Sequence, residues 1–287
     1  MTGWARLGAA LAAAWLLSGC GAMQLAYDNA DALVRWRANG YVHLEGQASE
    51  ELDERIDAFH DWHRAEALPQ YARLAEEAAR RLEDGVSPAD LVWGYDSLVA
   101  QARESLREAG RQAAPLLDRL DAGQLKHLEK GFAEDDRRFA KEFLRGSEED
   151  RRKRRYKRMV RRLEDWVGRL SGPQKERVRQ YAERVPAVDA LRERDRKRLQ
   201  EGFLAIVRAR EARGRMPGFL AGWQEAREPA YAEASDAQRD ELFALLLDLD
   251  RMLVPEQRAR AVARFRELAG DFAALASRRP DVRAQSQ

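Results

Sequence analysis

The chain has a single cysteine, Cys20, and its neighbours predict a specific chemistry for that thiol. Leu17-Ser18-Gly19-Cys20 has the pattern of a lipobox, in which a branched apolar residue and two small residues precede a thiol that becomes a thioether to lipid. Arg6 and an apolar run over residues 7–17 come before it, and this run suits a signal-peptide core but is too short to span a bilayer. The pattern predicts a signal peptide over residues 1–19 and a diacylglycerol with an N-acyl chain, such as palmitate, on Cys20. The alternative is an ordinary secretory leader with an incidental cysteine.

An exported and lipidated chain would lie on the periplasmic face of a membrane. Gly21 follows the cysteine at the position where an aspartate would often signal inner-membrane retention. We therefore expect the outer membrane, with the inner membrane as the alternative. Lipidation of the single thiol leaves no cysteine for a disulfide. The expected partners in this compartment are the membrane and another envelope component, and no nucleic acid.

A basic run spans residues 151–162, where nine of the twelve residues are Arg or Lys. The three interruptions, Tyr156, Met159 and Val160, recur at helical spacing, so the run predicts one amphipathic helix with a strongly basic outer face. The ridge of that face would consist of Arg151, Arg152, Arg155, Arg158 and Arg162. Such a ridge could contact anionic lipid headgroups or acidic protein surfaces. The alternative is a solvated face that acidic neighbouring helices balance.

Asp57, His60 and His63 lie one turn apart along another predicted helix. Asp-x-x-His-x-x-His could offer three metal ligands on one side of that helix. A helical two-metal site takes Glu-x-x-His from each of two helices, however, and His43 and His127 lack that arrangement. The alternative is that His63 packs in the interior. The sequence therefore predicts no metal site and leaves these three side chains as candidates.

No local motif points to catalysis. The sequence contains no nucleophile elbow, phosphate-binding loop, dinucleotide fingerprint or zinc-protease motif. We therefore expect no catalytic residues and no cofactor other than the lipid on Cys20, and we expect a protein that is not an enzyme.

Four stretches share a position suited to helix capping and a glutamine three residues later: 120–124, 170–174, 234–238 and 253–257. In the first three a short polar residue would cap a helix, and the glutamine would return to the cap's backbone N–H. The fourth is poorer because Val254 has no polar side chain. The stretches also resemble the Leu-Thr-x-x-Gln motif of small helical periplasmic stress proteins, whose members include a chaperone that cradles unfolded clients. Helix capping and a chaperone-like surface are both open interpretations.

The elements that must position these groups are predicted to be helices. Apolar residues recur every three to four positions along the chain, as in helices packed on one side. Charged residues make up 35% of the chain while the formal net charge is only +2, so both signs are interspersed on exposed faces. Sparse glycine and proline imply short connections. The sequence predicts an all-α fold of about nine or ten helices, arranged as antiparallel hairpins in a bundle or an elongated stack.

Several boundaries can be read from the sequence. Ser87-Pro88, Gly146-Ser147 and Ser171-Gly172-Pro173 each combine a capping hydroxyl with a helix break, and Met216-Pro217 predicts a further start. The apolar stripe lapses near Gly146, so we expect an N-terminal lobe over residues 20–145 and a C-terminal lobe over residues 146–277. One continuous domain is the alternative. The polar tail over residues 278–287 is predicted to be disordered.

Four segments resemble a family of Gram-negative helical lipoproteins that is known only as a domain of unknown function. The resemblance rests on Leu25-Ala26-Tyr27-Asp28-Asn29-Ala30-Asp31 through Trp36, Trp62-His63-Arg64, Leu68-Pro69-Gln70-Tyr71-Ala72, and Glu164-Asp165-Trp166 through Gln174. It extends over nearly the whole chain after Cys20. The resemblance implies a lipid anchor and a helical body close to the membrane, and it transfers no catalytic residue.

Three functions remain open on these grounds. The first is a non-enzymatic envelope interaction or scaffold protein, because a helical body with charged faces carries no catalytic motif. The second is a lipid-tethered periplasmic chaperone or envelope-stress adaptor, which the stretches ending in glutamine would support. The third is a protein that binds a metal through the histidine motif or anionic lipid through the basic helix.

Overall fold

The computed structural model describes residue 27 and residues 29–277. Within these residues the chain forms helices and no strands, and the helices pack against each other as a bundle, which confirms the all-α prediction. Cys20, the predicted leader over residues 1–19 and the predicted tail over residues 278–287 lie outside the described residues. Among the described helices, none is both long and apolar enough to cross a membrane.

Short connections join the successive helices, as the sequence predicts. The α-helices are α1 (Ala30–Val42), α2 (Gln47–Trp62), α3 (Leu68–Glu83), α4 (Pro88–Leu117), α5 (Ala122–Phe139), α6 (Glu148–Val167), α7 (Gly172–Arg184), α8 (Asp189–Arg208), α9 (Ala212–Ala221), α10 (Pro229–Arg251) and α11 (Pro255–Ser277). A π-helical turn over His63–Ala67 joins α2 to α3, and a second over Ala140–Leu144 extends α5. Counted as continuous segments, the described part contains ten helices, within the predicted number.

Four helices begin where the sequence places a capping side chain. Ser87, Asp121, Ser147 and Ser171 each accept a hydrogen bond from the backbone N–H three residues later, and that residue's side chain accepts from the cap's own N–H. These reciprocal bonds satisfy donors that a helix start otherwise leaves unpaired. Two of the four stretches ending in glutamine, 120–124 and 170–174, are therefore helix caps.

Two predicted helix starts are wrong, because other residues set the starts. The 234–238 stretch lies inside α10, which already begins at Pro229, a residue suited to the first helical position. Pro217 lies inside α9. The carboxylate of Asp118, at the end of α4, accepts hydrogen bonds from the first two N–H groups of α9 at 2.6 and 3.2 Å, and so sets its start from a distant part of the chain.

Two of the capping glutamines also bind each other. Gln174 Nε2 donates to Gln257 Oε1 at 2.8 Å, and Gln257 Nε2 donates back to Gln174 Oε1 at 3.2 Å. Each amide also donates to a backbone carbonyl in the connection that precedes the other glutamine's helix. Gln174 donates to the carbonyl of Met252 and Gln257 to the carbonyl of Arg169, both at 3.0 Å. The backbone N–H of Val254 donates to the side chain of Gln257 at 3.3 Å. The fourth stretch thus forms one of the two hydrogen bonds of a capping box, because the valine side chain cannot accept the other. The two amides thereby tie the starts of α7 and α11 together.

Helices from before and after residue 146 pack against each other. α3 packs against α11, and α4 packs against α9. Gly110 permits the second contact, since a Cβ atom there would lie 2.9 Å from the Cα of Pro217 and 3.0 Å from the carbonyl oxygen of Met216. These interfaces fix α4 relative to the C-terminal helices, and α4 supplies one wall of the site described next.

Candidate functional site

A cavity of about 780 Å³ opens between α4, α6, α8, α10 and the 222–228 segment that follows α9. Two carboxylates, Glu142 and Asp189, line this cavity. Against them stand eight arginines: Arg151, Arg154, Arg155, Arg158, Arg162, Arg192, Arg227 and Arg239. We call this space the arginine cavity. Four separate stretches of chain contribute its positive charge.

The packing of α6 determines where five of the eight arginines point. The apolar side of this helix packs on a buried core from α7 and α10 through Tyr156, Met159, Val160, Leu163 and Val167. The arginines occupy the adjoining side, where neighbouring elements cover Arg155, whose side chain is only 15% exposed, and leave Arg158 and Arg162 exposed. The predicted basic outer face is thus a cavity wall for four of its five arginines. Arg152 does not line the cavity and remains exposed.

Few of the arginines in the cavity are neutralised by a carboxylate. Glu148 pairs with both Arg151, at 2.8 Å, and Arg155, at 3.1 Å, and the hydrogen bond from Arg151 holds the pKa of Glu148 below its usual range. Arg239 pairs with Asp236 and with its neighbour Asp240. Within residues 29–277, the other five have no carboxylate within 4.0 Å: Arg154, Arg158, Arg162, Arg192 and Arg227.

Aromatic rings hold several of these guanidinium groups in place. Arg158 and Arg192 both lie over the ring of Phe143, at 5.5 and 5.6 Å from its centroid. Arg227 lies over the ring of Trp223 at 4.8 Å. A cation over a ring face is stabilised without losing its charge. The rings therefore position positive groups and leave them able to bind an anion.

Three donors on residues that line the cavity are buried and have no hydrogen-bond partner among the described residues: Nε of Arg155, Nε1 of Trp223 and Nε of Arg227. A buried donor without an acceptor costs roughly 1–3 kcal/mol. Guanidinium groups match carboxylate and phosphate oxygens with paired donors. The lining therefore offers what an anion needs, positive charge and paired guanidinium donors.

His60 and His63 lie in an aromatic cluster at the junction of α2 and the first π-helical turn. The hydroxyl of Tyr27 is 3.0 Å from Nδ1 of His63, and the rings of Tyr27, Phe59 and Tyr71 lie 5.7, 5.8 and 5.9 Å from the His63 ring. Burial lowers the pKa of His63 to about 4, with a smaller effect from His60, and burial also lowers the pKa of His60. We call these five residues the histidine cluster.

The three metal-ligand candidates do not form a ligand group. Asp57 is exposed, whereas His60 and His63 are partly buried among the rings. In the part of the chain that the structure describes, no three His, Cys, Asp or Glu side chains are placed to hold a metal ion. The position of His63 matches the packing role that the sequence left as the alternative.

Sequence reasoning missed the residues that close the arginine cavity opposite α6. Arg192, Arg227 and Arg239 belong to three other elements, and Phe143 and Trp223 orient some of the guanidinium groups. The chain has 51 Lys and Arg residues, so isolated arginines do not stand out. One local signal was present, since Trp223 and Arg227 are spaced to meet on a helical turn.

Comparisons with curated proteins and with solved structures find no match. The sequence profile of a family of unknown function, DUF6279, matches residues 40–221, more than half of the chain. Six of the eight cavity arginines fall in this segment, and Arg227 and Arg239 follow it. The predicted resemblance to a family without a known function is confirmed over residues 40–221, a range that leaves out the predicted match at residues 25–36, while its lipoprotein character stays a prediction. The chain therefore belongs to the family of unknown function DUF6279.

Proposed function

We propose that the protein is a non-enzymatic binding protein of the cell envelope and that its arginine cavity takes an anionic ligand. The observation that carries this proposal is the concentration of charge. Eight arginines against two carboxylates line one cavity of a chain whose formal net charge is only +2. Like charges this close repel each other, and a bound anion removes that cost.

The convergence of the charge on one open cavity favours a ligand over a general surface contact. A solvated basic face is screened by salt and needs no specific partner. Here the guanidinium groups converge on one space from several elements, and five of them have no carboxylate partner among the described residues. The volume of about 780 Å³ lies within the range of roughly 300–1,000 Å³ that is typical of ligand pockets.

The predicted lipid on Cys20 would hold this cavity close to a membrane, which we propose to be the outer membrane. The support is the lipobox pattern and the apolar leader before it. In this role the protein presents or senses an anionic envelope component, as an interaction protein rather than an enzyme. The chaperone alternative loses support from its motif, because the glutamines at 124, 174 and 257 serve helix starts.

Isothermal titration calorimetry with pyrophosphate tests the proposal. The protein would be the full chain carrying Cys20→Ser, which removes the predicted lipidation, in a buffer of low ionic strength. We expect saturable binding that Arg158→Gln weakens and Arg152→Gln leaves unchanged. The two arginines are matched, since both are exposed on α6 and only Arg158 lines the cavity. Equal effects of the two substitutions, or no binding by the Cys20→Ser chain without either of them, would contradict the proposal.

A further inference from the structure

An apolar cavity adjoins the arginine cavity. It has a volume of about 510 Å³ and lies between α3, α4, α6, α10 and α11. Most of its lining is hydrophobic, including Leu91, Leu98, Leu163, Trp166, Leu246 and Leu253. Apolar walls that face water favour an apolar occupant, because covering them removes unfavourable hydration. We call this space the apolar cavity.

The two cavities share part of their walls. Tyr95 of α4, Arg162 of α6 and Phe243 of α10 line both. The rings of Tyr95 and Phe243 contact each other with centroids 6.2 Å apart, and Arg162 is the exposed residue of the three. A molecule with one charged and one hydrophobic end could therefore reach both spaces over this wall at Arg162.

The charges around the apolar cavity set the direction of such a molecule. Arg81 pairs with Asp90 at 2.6 Å, and Asp250 pairs with Arg258 at 2.7 Å, so the charges on that side are neutralised within the protein. Arg162 is the remaining charged residue of the lining, and no carboxylate among residues 29–277 lies within 4.0 Å of it. Arg162, the charged residue without a carboxylate partner, thus lies between the apolar cavity and the arginine cavity.

The outer edge of the apolar cavity is also hydrophobic. Leu98 lines this cavity, and its side chain is 60% exposed. An exposed leucine is ordinary when it stands alone, but here it continues the apolar lining to the surface. The edge therefore gives an apolar chain a route into the space between the helices.

Resting on the proposed function, we infer that the ligand is an anionic lipid that binds with its phosphate headgroup in the arginine cavity and its acyl chain in the apolar cavity. Charge complementarity selects the headgroup, and Tyr95, Arg162 and Phe243 lie between the two subsites and line both. The protein binds one lipid molecule as a ligand, which differs from lying on a charged membrane surface.

Three probes test this inference on the full chain carrying Cys20→Ser, below the concentration at which the lipids form micelles. Lysophosphatidic acid has the phosphate and the chain, glycerol 3-phosphate has the phosphate alone, and lysophosphatidylcholine has a chain with no net charge. We expect lysophosphatidic acid to bind at least about 30-fold more tightly than either, since each buried CH₂ and each charged contact adds to affinity. Equal affinity for lysophosphatidic acid and either of the others would overturn the inference.

A matched pair of substitutions locates the acyl chain. Leu98 and Val92 are both exposed apolar residues of α4, 60% and 48% exposed, and only Leu98 lines the apolar cavity. Leu98→Asp should weaken lysophosphatidic acid binding about tenfold by placing a charge beside the chain, while Val92→Asp changes it less than about twofold. Neither substitution should alter glycerol 3-phosphate binding. Equal effects of the two substitutions on lysophosphatidic acid would overturn the placement of the chain.

The same titrations separate this inference from the proposed function. If glycerol 3-phosphate binds, Arg158→Gln weakens that binding, and the acyl chain adds nothing, then the lipid inference fails and the anion site stands. If none of the phosphate probes binds, both fail.

Discussion

The arginine cavity and the histidine cluster both concentrate side chains that bind ions, but their surroundings differ. In the arginine cavity, residues from four stretches of chain face one open space, and most of the guanidinium groups have no carboxylate partner among the described residues. In the histidine cluster, rings from neighbouring residues fill the space, and burial holds His63 in its neutral form. Neighbouring elements therefore decide whether polar side chains become a site or part of the interior.

The largest expected effect separates the two regions by ligand binding. Arg155→Gln combined with Arg158→Gln should weaken pyrophosphate binding about 100-fold, because charged hydrogen bonds contribute roughly 1.5–3 kcal/mol each. His60→Gln combined with His63→Gln should change the affinity less than about twofold. Calorimetric titration of both double variants gives the comparison. A similar loss in both would mean that the arginine cavity is not the anion site.

The next effect separates the regions by stability. His63→Ala should lower the free energy of unfolding by about 2 kcal/mol at pH 7, because it removes a packed ring and the bond between Tyr27 and Nδ1 of His63. Arg158→Gln, at an exposed position, should change it by less than about 0.5 kcal/mol. Urea unfolding followed by circular dichroism measures both. Equal stability of His63→Ala and the unsubstituted protein would show that the cluster does not hold the fold together.

The histidine cluster should also make stability depend on pH. Because the pKa of His63 is lowered from 6.5 to about 4, the unfolded chain takes up the proton more readily than the folded one. The contribution of neutral His63 to the free energy of unfolding is therefore complete above about pH 6.5 and is lost as the pH falls toward 4. Between pH 7 and pH 5 we expect the unsubstituted protein to lose about 1–2 kcal/mol more stability than His63→Gln. Parallel urea titrations that show no difference would contradict a buried, neutral His63.

The smallest expected effect comes from salt. Raising the ionic strength from about 0.05 to 0.2 M should weaken pyrophosphate binding about threefold, because the cavity is open enough for screening. The difference in unfolding free energy between His63→Ala and the unsubstituted protein should stay within about 0.3 kcal/mol, since packing of neutral rings is not screened. Titrations and unfolding curves at both salt concentrations test the contrast. Binding that does not respond to salt would argue against a site built on charge.

Much of the fold could be predicted because its determinants are local. Apolar spacing gave the helices, and Ser87, Asp121, Ser147 and Ser171 gave four of their starts. The start of α9 was missed because the Asp118 carboxylate that caps it belongs to a distant helix, and no local pattern reveals that contact.

The candidate site was half predictable for the same reason. The five arginines of the ridge were visible as one basic run, and four of them line the cavity. The opposite wall, with Arg192, Arg227 and Trp223, depends on how α8 and the segment after α9 approach α6. Spacing along one helix cannot supply that information. The cavity was therefore missed, although the helix that supplies most of its arginines was predicted.

The most direct test of the proposed anion site is to locate an anion on the protein. A crystal structure of the Cys20→Ser chain grown with tungstate, which replaces phosphate and scatters anomalously, would show where anions bind. We expect the strongest anomalous peak inside the arginine cavity, within hydrogen-bonding distance of Arg158. Peaks confined to exposed arginines such as Arg152, with none in the arginine cavity, would contradict the proposal that this cavity binds an anion.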